Sequence, residues 1–142
     1  MTRTVLALFA ASALVLTACA TVRSITGTTS FDPENPQIFV VRGATGHHII
    51  VDQEPIVITK KGKSRITWHV ATKGYEFDKA KGIVINPTPV KGISKQVTGC
   101  TQVTNTQFAC DNDNNGKGVH SYTINLVGPA GPLKVDPYVV ND

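Results

Sequence analysis

Short runs of β-branched and aromatic residues recur along the chain between turn-forming residues, and no segment keeps apolar residues at helical spacing. These runs predict nine strands, which cover residues 37–41, 47–51, 55–59, 64–70, 82–85, 96–103, 107–110, 119–127 and 138–140. Many short strands at even spacing are typical of a β-sandwich or a β-barrel. We therefore predict a small, single-domain, all-β sandwich.

Two of these runs show a clear alternation of apolar and polar residues. The apolar positions of the first run are Ile66, Trp68 and Val70, and those of the second are Tyr122, Ile124 and Leu126. Successive side chains of a strand point to opposite faces. We expect Trp68 to anchor the core and His69 to point outward. The lysine-rich segment 60–63 predicts a turn that folds run 55–59 back onto run 64–70 as a hairpin.

The N-terminal region is typical of a secretory signal, because Arg3 precedes an uncharged, almost wholly apolar run at 5–16. That run is too short to span a bilayer, which needs about 20 apolar residues. It ends in Leu16-Thr17-Ala18-Cys19, which resembles the bacterial lipobox. This resemblance implies cleavage before Cys19 and lipidation of its thiol; the alternative is ordinary cleavage after Ala18 or Ala20.

The residue after the lipobox, Ala20, is not Asp. In Gram-negative lipoproteins this resembles export to the outer membrane. We therefore expect a lipid-anchored cell-envelope protein, held on the outer membrane and facing the periplasm, with no nucleic-acid partner.

The cysteine count gives an independent indication. The chain has three cysteines, and an odd cysteine in a secreted protein requires an explanation. If Cys19 carries lipid, Cys100 and Cys110 remain as a pair in a compartment where disulfides persist. We predict this disulfide, with two unpaired buried thiols as the alternative; in the chain-entropy model its short loop contributes about 3 kcal/mol.

The expected organisation is a signal peptide at 1–18, a lipidated N-terminus with a flexible tether at 19–36, and a sandwich domain at 37–142. The tether is rich in Thr, Ser, Gly and Pro. The net charge of +4 is mild and does not indicate a nucleic-acid partner. The lysine cluster at 60–63 contains a glycine and reads as a solvated turn.

The sequence contains two candidate metal sites. His47, His48, His69 and His120 are the four histidines, and they would have to converge to bind Zn²⁺ or Cu²⁺. A blue-copper site is not predicted, because the only Met is Met1 and the spacing from Cys110 to His120 does not fit. We expect that the four histidines are placed by chance and do not converge on a metal ion.

The run 111–116 matches the opening of a calcium loop, with oxygen-bearing side chains at positions 1, 3 and 5 and a Gly at position 6. Position 12, where a bidentate Glu is required, is Tyr122. The alternative is a hairpin loop, because Asn, Asp and Gly favour turns. We favour the hairpin loop.

Enzyme motifs are absent from the sequence, which contains no Gly-x-Ser-x-Gly, His-Glu-x-x-His or phosphate-binding glycine loop. The carboxylates are scattered, and Glu54 and Glu76 have no evident partner. We predict a protein that is not an enzyme and carries no cofactor.

Several motifs resemble those of small exported proteobacterial lipoproteins. They are the Trp68 strand, Tyr75-x-Phe77, Gly82-Ile83-Val84, the local cysteine pair, Tyr122-Thr123-Ile124 and the closing run 132–141. The resemblance covers residues 55–142 and implies a cupredoxin-like or immunoglobulin-like Greek-key sandwich without the copper site. It implies no catalytic residue.

Two functions therefore stand as expectations. The first is a membrane-anchored envelope lipoprotein whose non-catalytic sandwich binds an envelope protein or a polymer. The second is a periplasmic metal-binding module for Ca²⁺, Zn²⁺ or Cu²⁺. An apolar patch or an unpaired sheet edge would favour the first, and converging histidines would favour the second.

Overall fold

The computed structural model describes residues 31–93 and 95–142, so the predicted signal peptide, Cys19 and tether residues 19–30 lie outside the described residues. All secondary structure in the described part is β-strand. The strands are β1 (Gln37–Gly43), β2 (Gly46–Val51), β3 (Ile56–Ile58), β4 (Ser64–Val70), β5 (Glu76–Phe77), β6 (Ile83–Ile85), β7 (Lys91–Gly92), β8 (Val97–Thr104), β9 (Gln107–Asn112), β10 (Gly118–Val127), β11 (Leu133–Val135) and β12 (Tyr138–Asn141). Each of the nine predicted runs contains a strand; β5, β7 and β11 are additional.

The strands form two sheets, as the predicted all-β sandwich requires. Sheet A has the order β2-β1-β4-β9-β8, and sheet B has the order β11-β10-β12-β3. Strands β5, β6 and β7 also pair with β10. Most pairs are antiparallel, but β1 with β4 and β3 with β12 are parallel. The ten-residue strand β10 thus organises sheet B, because five other strands bind to it.

The core lies between the two sheets and confirms the predicted alternation. Trp68 of sheet A and Tyr122 of sheet B are both fully buried, with ring centroids 5.2 Å apart. The indole Nε1 of Trp68 donates a hydrogen bond to Tyr122 Oη at 3.2 Å. Burial raises the pKa of the Tyr122 phenol well above its usual range, so the phenol stays protonated and can accept this bond.

The predicted hairpin between runs 55–59 and 64–70 is wrong. Strand β3 lies in sheet B beside β12, whereas β4 lies in sheet A between β1 and β9. The buried amide of Asn114 holds the connecting segment in place, because its Nδ2 donates to the carbonyl of Lys60 at 2.7 Å. Gly62, at φ +90°, lets this segment cross from one sheet to the other.

Residues 32–36, which the sequence assigned to the tether, are bound to the domain. The backbone N–H of Thr67 donates to the carbonyl of Glu34 at 2.8 Å, and that of His69 donates to Pro36 at 3.0 Å. The side chain of Gln53 donates to the carbonyl of Asp32 at 2.8 Å. These bonds extend the folded region to Asp32.

Cys100 and Cys110 form the predicted disulfide, which joins the neighbouring strands β8 and β9. Cys110 is fully buried in the core. Within residues 31–93 and 95–142 there is no helix long and apolar enough to cross a bilayer.

Candidate functional site

The four histidines do not form a cluster. His47 and His48 are exposed neighbours on β2, His69 lies on the outer side of β4, and His120 is buried on β10 of the other sheet. They contact other residues instead of one another: the ring of His48 bonds Thr45 at 3.1 Å, and that of His69 lies 3.5 Å from Asn35 Oδ1. Among the described residues, no three His, Cys, Asp or Glu side chains come together as a metal site.

Burial at His120 has a protonation consequence. The side chain is 2% exposed, and its Nε2 has no hydrogen-bond partner in the described part of the structure. Desolvation lowers the pKa of the imidazole below its ordinary value, because the charged form loses its water. This histidine is therefore neutral at neutral pH.

The run 111–116 does not form the predicted hairpin loop, and it lacks the bidentate ligand of a calcium loop. Its first two residues belong to β9, and the carboxylate of Asp111 lies 3.4 Å from the guanidinium of Arg65. Tyr122, at the position of the required bidentate ligand, is in the core. The hairpin expectation fails because β9 lies in sheet A and β10 in sheet B, so the run crosses between the sheets.

Sequence reasoning missed a buried cluster of amides beside this crossover. Asn112 and Asn141 exchange two side-chain hydrogen bonds, at 2.9 and 3.0 Å, and thereby join β9 to β12. Gln96 Oε1 accepts bonds from Asn141 Nδ2 and from the backbone N–H of Gly116, both at 3.3 Å. Each amide is within 1% of full burial. The cluster ties the two sheets together at one end of the sandwich.

The two carboxylates considered in the sequence lie apart. Glu54 accepts a hydrogen bond from the backbone N–H of Tyr138 at 3.0 Å. Desolvation raises the pKa of Glu54, and this hydrogen bond lowers it by less. Glu76 is exposed on β5. Glu54 therefore positions the start of β12.

An unpaired sheet edge runs along β2. Among the described strands β2 pairs only with β1. The backbone N–H of Asp52 donates to the carbonyl of Gln37 at 2.9 Å, so these two residues are a hydrogen-bonded pair of the antiparallel ladder. Alternate residues then direct their N–H and C=O groups away from β1. These residues are His47, Ile49 and Val51.

A groove of about 280 Å³ follows this edge. Residues 49–51 of β2 line one wall, and Val135, Asp136 and Pro137 line the other, with Glu54 between them. The walls belong to different sheets, since β2 closes sheet A and β11 closes sheet B. Apolar side chains and unpaired backbone groups therefore meet in one groove.

Strands β1 and β2 form a hairpin whose outer face carries three exposed apolar side chains. Phe39 of β1 stands opposite Ile50 of β2, and they are 41% and 48% exposed. Val41, the next outward residue of β1, is 39% exposed. We call Phe39, Val41 and Ile50 the hairpin patch.

The outer face of sheet B carries a second groove, of about 520 Å³. Tyr122 and Ile124 of β10 point inward, so Ser121 and Thr123 point outward. Tyr138 is the cross-strand partner of Ser121, and Val84 is the partner of Thr123. We call this surface, completed by Asn86, Lys134 and Asp136, the Tyr138 face.

Neither groove can be predicted from the sequence pattern, because the outward residues that line it have the pattern of any solvent-exposed strand face. Their common location follows only from strand order and register. The resemblance to exported proteobacterial lipoproteins stays a prediction. A comparison with known protein-family models finds no match to this chain, and a comparison with curated proteins finds none either.

Proposed function

We propose that this chain is a lipid-anchored protein of the bacterial cell envelope whose non-catalytic sandwich binds a partner protein by adding a partner strand to β2. The observation that carries the proposal is the unpaired edge of β2 beside an apolar groove. No observation of comparable weight favours the metal-binding alternative.

Cysteine usage supports the anchored location. The chain has three cysteines, and the disulfide uses Cys100 and Cys110. Cys19, which ends the lipobox-like motif, is then the odd cysteine. Two or more acyl chains on one N-terminus are enough for stable membrane anchoring. On this proposal the domain faces the periplasm from the outer membrane.

Strand addition requires free backbone groups and pockets for alternate side chains. Along the edge of β2, His47, Ile49 and Val51 point their peptide groups outward, and most residues that line the groove are apolar. Strand β11 lies within 8 Å of β2 between Cα atoms, so a partner strand has to displace β11 or pair where β11 does not reach. The hairpin patch extends the contact onto the outer surface. The partner is therefore expected to supply an extended segment with apolar residues at every second position.

The test is recovery of partners by crosslinking and pull-down of the lipidated protein from its native envelope. Ile50→Lys places a charge on the hairpin patch, and Val103→Lys is the matched control, because Val103 is 52% exposed on β8, the opposite edge of sheet A. We expect Ile50→Lys to reduce recovery of a specific partner at least tenfold, the effect of about 1.4 kcal/mol. Val103→Lys should leave recovery unchanged.

Val51→Pro is a second variant for the partner-recovery experiment. The N–H that it removes is not part of the β1 ladder, and proline is tolerated at such edge positions. We expect a folded protein that no longer recovers the partner. Recovery of no specific partner, or equal recovery by all variants, would overturn the proposal.

The anchor is tested separately. Cys19→Ser removes the thiol that would carry lipid, so the variant should move from the membrane fraction to the soluble fraction. A Cys19→Ser variant that still partitions with membranes would contradict the anchored location without affecting the partner test.

A further inference from the structure

We infer that the Tyr138 face binds a neutral, hydroxyl-rich polymer, namely a polysaccharide. This site lies on the outer face of sheet B and shares Asp136 with the groove beside β2, but its other lining residues differ, so the inference does not depend on the proposed partner protein.

The centre of the face is an aromatic ring flanked by hydrogen-bonding groups. Tyr138 is 42% exposed although it lies on a strand inside sheet B, between β10 and β3. Its cross-strand neighbour is Ser121, and the side chains of directly opposed residues share one face. An exposed ring offers a flat apolar surface to the C–H face of a sugar, and its hydroxyl remains available to solvent or ligand.

The polar groups beside the ring are already oriented. The Thr123 hydroxyl donates to Asp136 Oδ1 at 2.6 Å, so its oxygen is left to accept. Asn86 Oδ1 accepts from the backbone N–H of Thr88 at 3.1 Å, so its amide N–H groups are left to donate. Ser121 adds a hydroxyl that can do either. The face therefore offers both donors and acceptors, as the hydroxyls of a sugar require.

The charge of the face favours a neutral ligand. Its two charged lining residues are Lys134 and Asp136, which lie 3.5 Å apart and offset each other. The remaining lining side chains are neutral and include the exposed Val84. An anionic polymer would gain little from this arrangement, and a cationic one would meet Lys134.

The shape of the face suits a chain more than a single sugar. The lining residues come from β6 with its following loop, from β10 and from the segment 134–138. Three neighbouring strand positions span about 10 Å, because strands lie about 4.8 Å apart. A chain crossing these strands would contact the face with more than one sugar unit. Strand-borne side chains are also rigid, which lowers the entropy lost on binding.

The experiment is native affinity electrophoresis of the full chain through gels that contain dextran, soluble starch or, as the anionic arm, alginate. We expect retardation by at least one neutral polysaccharide. Tyr138→Ala should weaken it at least tenfold, as for a central aromatic contact. Tyr138→Phe, which keeps the ring, should retain most of it.

Phe31→Ala is the matched control, because Phe31 is an exposed aromatic residue, 66% accessible, outside the Tyr138 face. Thermal unfolding of each variant verifies that the sandwich remains folded. Ile50→Lys should bind polysaccharide normally, so failure of the partner-protein proposal would be distinguishable from failure of this one. The absence of retardation by every neutral polymer, equal loss in Tyr138→Ala and Phe31→Ala, or preferential binding of alginate would overturn the inference.

Discussion

The buried Asn112–Asn141 pair gives a quantitative test of how the sheets are joined. Two reciprocal amide hydrogen bonds connect these side chains, but their other partners differ. Asn112 Oδ1 also accepts from the backbone N–H of Asn114 at 3.3 Å, whereas Asn141 Nδ2 also donates to Gln96. The two alanine substitutions therefore leave different numbers of groups without a partner.

Asn112→Ala leaves two buried groups unpaired, which are Asn141 Oδ1 and the N–H of Asn114. Asn141→Ala leaves one, which is Asn112 Nδ2, because Asn112 Oδ1 keeps its bond from Asn114. An unpaired buried polar group costs about 1 to 3 kcal/mol. With about 1.5 kcal/mol for each group, we expect losses of roughly 3 and 1.5 kcal/mol, plus a similar cavity cost in both variants.

The double variant leaves only the N–H of Asn114 unpaired. Its loss from unpaired groups is then about 1.5 kcal/mol, whereas the single variants together predict about 4.5 kcal/mol. The coupling free energy between Asn112 and Asn141 is therefore expected to be about 3 kcal/mol.

Urea unfolding followed by the fluorescence of Trp68, the chain's single tryptophan, measures all four proteins. Trp68 is fully buried against Tyr122, so its emission reports exposure of the core. Equal destabilisation by the two single variants, or additive losses in the double variant, would refute the hydrogen-bond assignment.

Three further outcomes follow from individual residues. Cys110→Ser should lower the free energy of unfolding by about 3 kcal/mol in the chain-entropy model; an unchanged urea midpoint would show that the disulfide does not restrict the unfolded chain. Gly92→Ala and Gly62→Ala start from nearly the same φ, +88° and +90°, but a Cβ at Gly92 would overlap the carbonyl oxygen of Lys117, whereas nothing lies near Gly62. Gly62→Ala should cost about 1 to 2 kcal/mol of left-handed strain, and Gly92→Ala clearly more; equal melting temperatures would contradict this. Burial lowers the folded-state pKa of His120 below 6.5, so the unfolded chain binds the proton first. The contribution of neutral His120 to the free energy of unfolding is fully present above pH 6.5 and is lost as the pH falls toward the folded-state pKa. His120→Phe should therefore reduce the difference between the free energies of unfolding measured by urea titration at pH about 5 and about 7.5. If the pH dependence of the free energy of unfolding is unchanged in His120→Phe, groups other than His120 cause it.

Local pattern was sufficient to predict the longer strands and the core. The alternation around Trp68 and Tyr122 is a property of consecutive residues, so it can be read without knowledge of the partners. The two-residue strands β5 and β7 are too short to show any alternation. They form because their backbone groups pair with those of β10.

The predicted hairpin between runs 55–59 and 64–70 is wrong because β3 pairs with a strand that is far away in the sequence. Neighbouring strands joined by a short lysine-rich turn favour a hairpin, yet β3 pairs with β12, where Val57 faces Val140. The same limit applies to the sites. Asn86, Ser121 and Tyr138 come from three separate segments, and only the register of β6, β10 and β12 brings them to one face.

The position of β12 has a consequence for the timing of folding. This strand lies between β10 and β3, and β3 has no other neighbour among the described strands. Sheet B therefore stays divided until residues 138–141 are available, and non-local pairings of this kind form slowly. Attachment of β3 to sheet B is therefore expected to be a late step of folding, and a substitution that weakens β12 should release β3 as well.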